Sequence, residues 1–552
     1  MFKTCKNCEA QFQITQDDSN FYKKIDAPEP VECYDCRQQR RLAYRNERNL
    51  YQGICDKCKK QIISIYSPDK PYTVYCNTCW WGDDWDPMEY GVDFDPEHSG
   101  PFFPQWQKLY DAVPKISLIV LGDNINSDYT HDVYRLKDCY LVFDGEQARD
   151  CYYGETFIHL VDCVDFLALQ RSELCYETIN SFNCYNCSFT RFCKDCAESN
   201  FLIDCIGCKN CFFCANLRQK QYCIFNKQYS REEYRKKAAE INLGDYKTLQ
   251  KVKKDFEKFV ITSPKKAMRG VQNENVSGDN IDNCKNVFYS FDCVAARDCK
   301  YCTNIEVGAN DCFDVDIWGD NLNLAYNSEC VGAGSQNIIA SYYTALTASN
   351  IYYSAFAMNG VHNLFGCVAL RHKKFCILNK QYSEKEYRAL FPRILSRMKS
   401  TGEWGQFFPI STSPFGYNET VAQDFFPITR LEALKKGYKW KPKDMREHKA
   451  QTYKIPDNIT SVPNSITDEI LACEDCGKNY KIIAQELRFY RKKNLPIPRK
   501  CYVCRYKDRL SLRNPRKLWK RICKKCGVSL QSSYEQARPE PIYCEKCYLE
   551  II

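Results

Sequence analysis

Through the middle of the chain, apolar positions come in short runs that restart at a fixed interval. Cys139, Cys151, Cys163, Cys175 and Cys187 stand twelve residues apart, and Cys211 and Cys223 continue the series. Most follow an acid or its amide: Asp138, Asp150, Asp162, Asn186 and Asn210. Further on the interval becomes thirteen, from Asn286 through Cys299 to Cys312 and from Asn337 through Asn350 and Asn363 to Cys376. Runs such as Cys139-Tyr-Leu-Val-Phe and Asn337-Ile-Ile-Ala read as strands. A short fixed period with small polar residues at equivalent rungs is the mark of a β-solenoid. Cys and Asn at those rungs are expected to form inward ladders, one coil taking one repeat or two.

The pattern also divides in two. Tyr222-Cys-Ile-Phe-Asn-Lys-Gln-Tyr-Ser-Arg-Glu-Glu-Tyr234 recurs as Phe375-Cys-Ile-Leu-Asn-Lys-Gln-Tyr-Ser-Glu-Lys-Glu-Tyr387, 153 residues later. Each copy ends in a capping box, Ser230 with Glu233 and Ser383 with Glu386, that should start a helix closing the solenoid end. The first helix is expected to reach about Phe259 with a break near Gly244, and the second to stop at Pro392. Ile116–Leu121 reads as a buried strand, Gln105–Ala112 as a helix, and Thr429 with Glu432 as the start of a short helix ending at Gly437.

Outside this region the pattern changes to knuckles. Cys5/Cys8, Cys33/Cys36, Cys55/Cys58 and Cys76/Cys79 recur as Cys473/Cys476, Cys501/Cys504, Cys523/Cys526 and Cys544/Cys547, every pair offset by 468. A Cys-x-x-Cys turn presents two thiolates on one side, and two such turns complete a tetrahedral four-thiolate zinc site. Pairing in order predicts four zinc ions. The copies also share Phe21-Tyr22, Pro28 and Pro30 with Phe489-Tyr490, Pro496 and Pro498, and then Arg37, Arg41, Arg45 and Arg48 with Arg505, Arg509, Arg513 and Arg516. Cys-x-x-Cys, Phe-Tyr, Pro-x-Pro and Cys-x-x-Cys-Arg in that order resemble the small bacterial zinc-ribbon, or treble-clef, domain. The whole arrangement is similar to a double-ended zinc-ribbon family of candidate-phylum bacteria. That resemblance implies zinc bound by the sixteen cysteines. Members sometimes carry a CoA-transferase label, which no motif here supports.

The expected architecture is mainly β. A tandem zinc-ribbon module occupies 1–80, an aromatic and acidic linker 81–115, the first solenoid half 116–229 and a helical insertion 230–272. The second solenoid half follows over 273–383, a helix and Pro-containing linker over 384–466, and the C-terminal ribbon module over 467–552. The 21 cysteines outside the knuckles include Cys184/Cys187, Cys193/Cys196 and the run Cys205, Cys208, Cys211, Cys214. These are a candidate further metal site, but compact buried packing fits them better.

Charge separates the ends. The net charge of +9 is built from +12 over 473–552, +3 over 1–80 and −6 between. Arg37, Arg41 and Arg45, spaced by four on a helix expected over 37–50, would make a cationic stripe for RNA or DNA phosphates. Arg505, Arg509 and Arg513, with Lys517, Lys520, Arg521, Lys524 and Lys525 behind them, would make the stronger one. The other readings are protein–protein scaffolding and a carbohydrate-active enzyme using Asp314 and Asp316, which flank one strand residue. No nucleophile elbow or phosphate-cradling loop is visible. An N-terminus entering a knuckle at once, and 37 cysteines suited to a reducing compartment, point to the cytoplasm.

Overall fold

The computed structural model describes residues 1–98, 100–442 and 448–552, so Ser99 of the first linker and 443–447 of the second lie outside the described residues. More residues lie in strands than in helices, and a cysteine quartet stands twice at each end. Most strands belong to two parallel ladders, one from Val120 to Gln228 and the other from Glu274 to Gln381. In the first, the register advances by thirteen from Val120 to Val133 and by twelve from there on, as Phe143↔Glu155↔Leu167↔Ile179↔Arg191↔Ile203↔Ala215. The equivalent row of the second, Phe291↔Thr303↔Asp316↔Glu329↔Tyr342↔Ala355↔Val368, steps by twelve once and then by thirteen. Both rows end alike: the Ala215 and Val368 N–H groups each donate to an Asn eleven residues on, at 2.9 and 2.8 Å.

A shorter period lies inside the longer one. Asp150, Tyr153, Thr156, His159 and Asp162 all have φ between 51° and 59°, so the backbone bends every third residue and four times per step. Left-handed φ is tolerated best by Asn and Asp, which is why these residues recur at fixed places. The inward positions also recur every third residue: Phe157, Leu160, Cys163, Phe166 and Leu169 are all buried. Cys205, Cys208, Cys211 and Cys214 are four successive inward positions, and their thiols donate to backbone carbonyls at 3.3–3.6 Å. Cysteine thus stacks inward as expected, but asparagine does not. Asn337, Asn350 and Asn363 sit at bends, only partly buried, with amides bonded at 2.9 and 3.1 Å.

Three local expectations need correction. Val120–Leu121 enters the first ladder, but Lys115–Ile116 pairs instead with Val74–Tyr75 of the N-terminal module. Helix Glu384–Thr401 runs through Pro392, because Tyr387, Ile394 and Met398 are buried on either side of it and packing outweighs the lost hydrogen bond. The helix after the second knuckle ends at Leu42, leaving Arg45 and Arg48 beyond it. The break near Gly244 is present, between helices Arg231–Ala239 and Tyr246–Thr262.

The end modules cross over. Phe21 stacks on Phe313 of the second ladder at 3.8 Å, whereas Phe489 and Tyr490 pack on Tyr176 of the first. The last ribbon strand of each module takes the opposite partner. Val74–Tyr75 pairs with the strand leading into the first ladder, and Ile542–Tyr543 with Lys265–Lys266, which leads into the second. Each module therefore touches both halves of the ladder system.

Candidate metal centres and the arginine seams

Each quartet is built the same way. Its first pair sits on a tight turn, where Cys5 N–H donates to Ala10 O and the Cys5 carbonyl accepts from Glu9 N–H, both at 2.9 Å. The turn closes through a left-handed residue: Glu9, Lys59, Gly477 and Gly527, with φ of 62°, 61°, 72° and 74°. Its second pair opens a helix, with Cys33, Cys76, Cys501 and Cys544 each at the N-cap. There the positive end of the helix dipole favours thiolate. The four groups are Cys5, Cys8, Cys33, Cys36; Cys55, Cys58, Cys76, Cys79; Cys473, Cys476, Cys501, Cys504; and Cys523, Cys526, Cys544, Cys547, with all sulfurs in a group within 4.8 Å. Consecutive knuckles therefore pair, as the spacing predicts.

The donor set fits a tetrahedral thiophilic ion. Sulfurs across the two knuckles of each site stand 3.6–3.8 Å apart. A zinc ion with four sulfurs at about 2.3 Å requires about 3.8 Å between them. Backbone N–H groups point at the thiols, Cys33 N to Cys5 Sγ and Cys76 N to Cys55 Sγ, both at 3.2 Å. Burial opposes ionisation of Cys55 and Cys523, but the surrounding N–H donors outweigh it and bring each thiol down to about 6. All these cysteines are free of disulfides. Among the described residues, no group able to hold a metal comes from the ladder cysteines.

The arginine stripes face inward. Arg37, Arg41 and Arg45 are at most 5 % exposed, and Arg505 and Arg509 at most 7 %. The Arg37 Nη2 lies 2.8 Å from Asp314, and the Arg41 Nε lies 2.7 Å from Asp316. Arg45 joins Asp132 and Asp144 of the first ladder to Glu329 of the second. The C-terminal copy repeats this on the opposite ladders: Arg505 and Arg509 take Asp165, and Arg513 takes Asp292 at 2.6 Å. In the ladder rows Asp165 is the equivalent of Asp314, and Asp292 of Asp144. Burial works against the Arg41 charge, and Asp316 with Asp314 outweighs it, holding the guanidinium above its ordinary pKa.

The expectation that these arginines meet phosphates is thus corrected, and Asp314 and Asp316 are corrected with them. Both carboxylates are fully buried under two guanidinium groups, so neither reaches a sugar as acid or base. Of the remaining cations, Arg521 donates to backbone carbonyls of its own module, including Glu540 O at 3.1 Å. Lys525 pairs with Glu550, while Lys517, Lys520 and Lys524 are exposed. Sequence reasoning missed a cavity of about 230 Å³ where the ladders meet, with Asp132, Asp144, Glu306, Trp318 and Tyr343 in its walls. The signal for it lay in differences between the two ladders at equivalent positions, among them Ile119 against Arg269 and Ala345 against Lys194.

No family model, curated protein or solved structure matches this chain. Among the described residues, no helix is long and apolar enough to cross a membrane.

Proposed function

We propose that this protein is a zinc-dependent binding scaffold in which two β-solenoids are clamped together by treble-clef ribbon modules at both ends of the chain. One observation carries the reading: the ribbon arginines are spent on solenoid carboxylates and not on solvent. Zinc in the four quartets would hold each ribbon helix at the angle that aims those arginines. The same burial withdraws Asp314 and Asp316 from glycoside chemistry and favours a structural role for the modules.

A second reading rests on a groove of about 850 Å³ between helix Tyr246–Thr262 and the first C-terminal ribbon. Its walls carry Arg191, Lys251, Lys253, Lys254, Arg499 and Lys500 beside Phe189, Phe201 and Phe256, against three acids, Glu177, Glu257 and Asp508. Lys251 and Lys254 are exposed. Exposed lysines along a groove suit nucleic-acid phosphates with little sequence preference. On this reading RNA or DNA occupies the groove and not the helix stripe first expected. Titrations with single-stranded RNA and DNA at two salt concentrations test it. Lys251→Glu/Lys254→Glu should lower affinity and flatten its salt dependence, and wild type unretained at low salt would leave a scaffold for other proteins.

A further inference from the structure

The duplication provides an internal comparison at the junction between the ladders. Pairing His131↔Phe143 and Asp279↔Phe291 makes Asp132 equivalent to Asn280 and Val133 to Ile281. Val133 N–H donates to Ile119 O and Ile281 N–H to Arg269 O, both at 3.2 Å, so Ile119 stands where the other half has Arg269. By the ladder rows Tyr343 corresponds to Phe192 and Ala345 to Lys194. At one junction the chain supplies its own cations. The Arg269 guanidinium lies 3.5 Å over the Phe192 ring and pairs with Asp279, and Lys194 pairs with Asp282. At the other junction Ile119 and Ala345 replace both cations in the wall of the 230 Å³ cavity, whereas the cavity of about 180 Å³ at the first junction is lined by Arg269 and Lys194 themselves.

The walls of that cavity hold more carboxyl groups than the chain's own cations pair. Asp132 and Asp144 share Arg45, which also pairs with Glu47 and Glu329. Glu146 and Glu306 line the cavity and, among the described residues, make no ion pair or side-chain hydrogen bond. The Tyr343 hydroxyl, on a residue 5 % exposed, lies beside the Asp132 carboxyl in the same wall. Trp318 completes an aromatic wall. Its row neighbours Ile305 and Val331 are fully buried, but Trp318 keeps partial exposure within a left-handed run, Ile317 at 70°, Trp318 at 88° and Gly319 at 134°. Such strain persists where surrounding structure enforces it, commonly at ligand sites. These oxygens do not converge as metal ligands do, since no three of them form a metal-sized group among the described residues.

We propose that this cavity binds a guanidinium group carried on a short aliphatic chain, seated over Tyr343 beside Glu306 in the place Arg269 takes in the other half. Carboxylates orient the cation, the aromatic faces attract it, and Ile119, Ile317 and Met358 cover its chain. The cation comes either from a small molecule or from an arginine of a partner protein.

The test is isothermal titration of zinc-loaded, full-length protein with butylguanidinium, with neutral butylurea of nearly the same shape as control. An acetyl-Gly-Arg-Gly-amide arm separates the sources: tighter binding of the peptide points to a partner protein, and tighter binding of butylguanidinium to a metabolite. Expected results are saturable butylguanidinium binding, about tenfold weaker binding by butylurea and by Glu306→Gln, and none by Ile119→Arg, which installs the missing cation. Wild type giving no heat at millimolar butylguanidinium overturns the proposal, as does equal binding of butylurea. Should Ile119→Arg fail to fold, the Glu306→Gln and butylurea arms decide alone, and neither depends on zinc or on the groove.

Discussion

Removing Arg41 tests whether the end modules act as clamps. Its side chain is fully buried, with Nε 2.7 Å from Asp316 and Nη1 3.1 Å from Asn327 and 3.4 Å from Asp314. In Arg41→Met, Asp314 keeps Arg37 at 2.8 Å. Asp316 is left with the Gln38 amide at 2.7 Å and the Thr303 hydroxyl at 2.6 Å, two neutral donors for one buried charge. Breaking a buried pair from one side costs about 3–5 kcal/mol, and the surviving donors place this case near the lower end, about 3 kcal/mol. Asp316→Asn should cost less, because Arg41 keeps Asp314 and Asn327. The double variant should be more stable than the sum of the two losses by about 1–2 kcal/mol. Guanidinium chloride unfolding gives the energies, and hydrogen exchange over Tyr34–Leu42 shows whether the ribbon helix is the part released. Arg41→Met within about 0.5 kcal/mol of wild type, or strictly additive losses, would refute the argument.

Elemental analysis should return four zinc ions per chain, and Cys33→Ser should lose one and expose both the N-terminal module and Phe313 to protease; fewer than three in wild type contradicts the ligand sets. Lys59 holds a left-handed φ of 61° where the C-terminal copy has Gly527, so Lys59→Gly should stabilise the module by about 0.5–1 kcal/mol and Gly527→Lys should destabilise it, read as changed rates of zinc release to a chelator. Burial, with Asp144 and Glu146 adding to it and Arg45 opposing, pushes the Glu306 carboxyl up to about 8. A raised acid pKa means stability that is present below the ordinary value of 4.5 and lost as pH rises through 8. Glu306→Gln should therefore match wild type at pH below 4.5 and exceed it above 8 in thermal unfolding, and a constant difference across that range would contradict the burial argument.

The cysteine quartets were legible because knuckle spacing is a local property: Cys5 to Cys8 spans one turn whatever surrounds it. The ladders were legible in part, since a twelve-residue repeat of cysteine survives in the sequence. The three-residue bend was hidden because its inward positions alternate Phe157, Leu160 and Cys163 with Ser172 and Thr178, which share no hydropathy. Asn337 and Asn350 were read as inward for the same reason, although a left-handed bend explains them better than burial does. The arginine stripe failed differently. Four-residue spacing says that Arg37 and Arg41 share a helix face, but not what lies opposite it, and the carboxylates opposite are hundreds of residues away.

That separation sets a schedule for the newborn chain. Arg37 emerges 277 residues before Asp314, and at roughly 5–20 residues per second the ribosome needs about 14–55 s to deliver the partner. Over that interval the first cysteine module exists without the surface it packs on, while the ladder nearest to it in sequence is the one the C-terminal module will claim. Because the two modules are copies, an unfinished chain presents to its neighbours on the same messenger a plug and, later, a socket of the same pattern. Correct assembly depends on the closing module arriving within the chain before a neighbour's does, so slow translation across the second ladder should increase exchanged dimers.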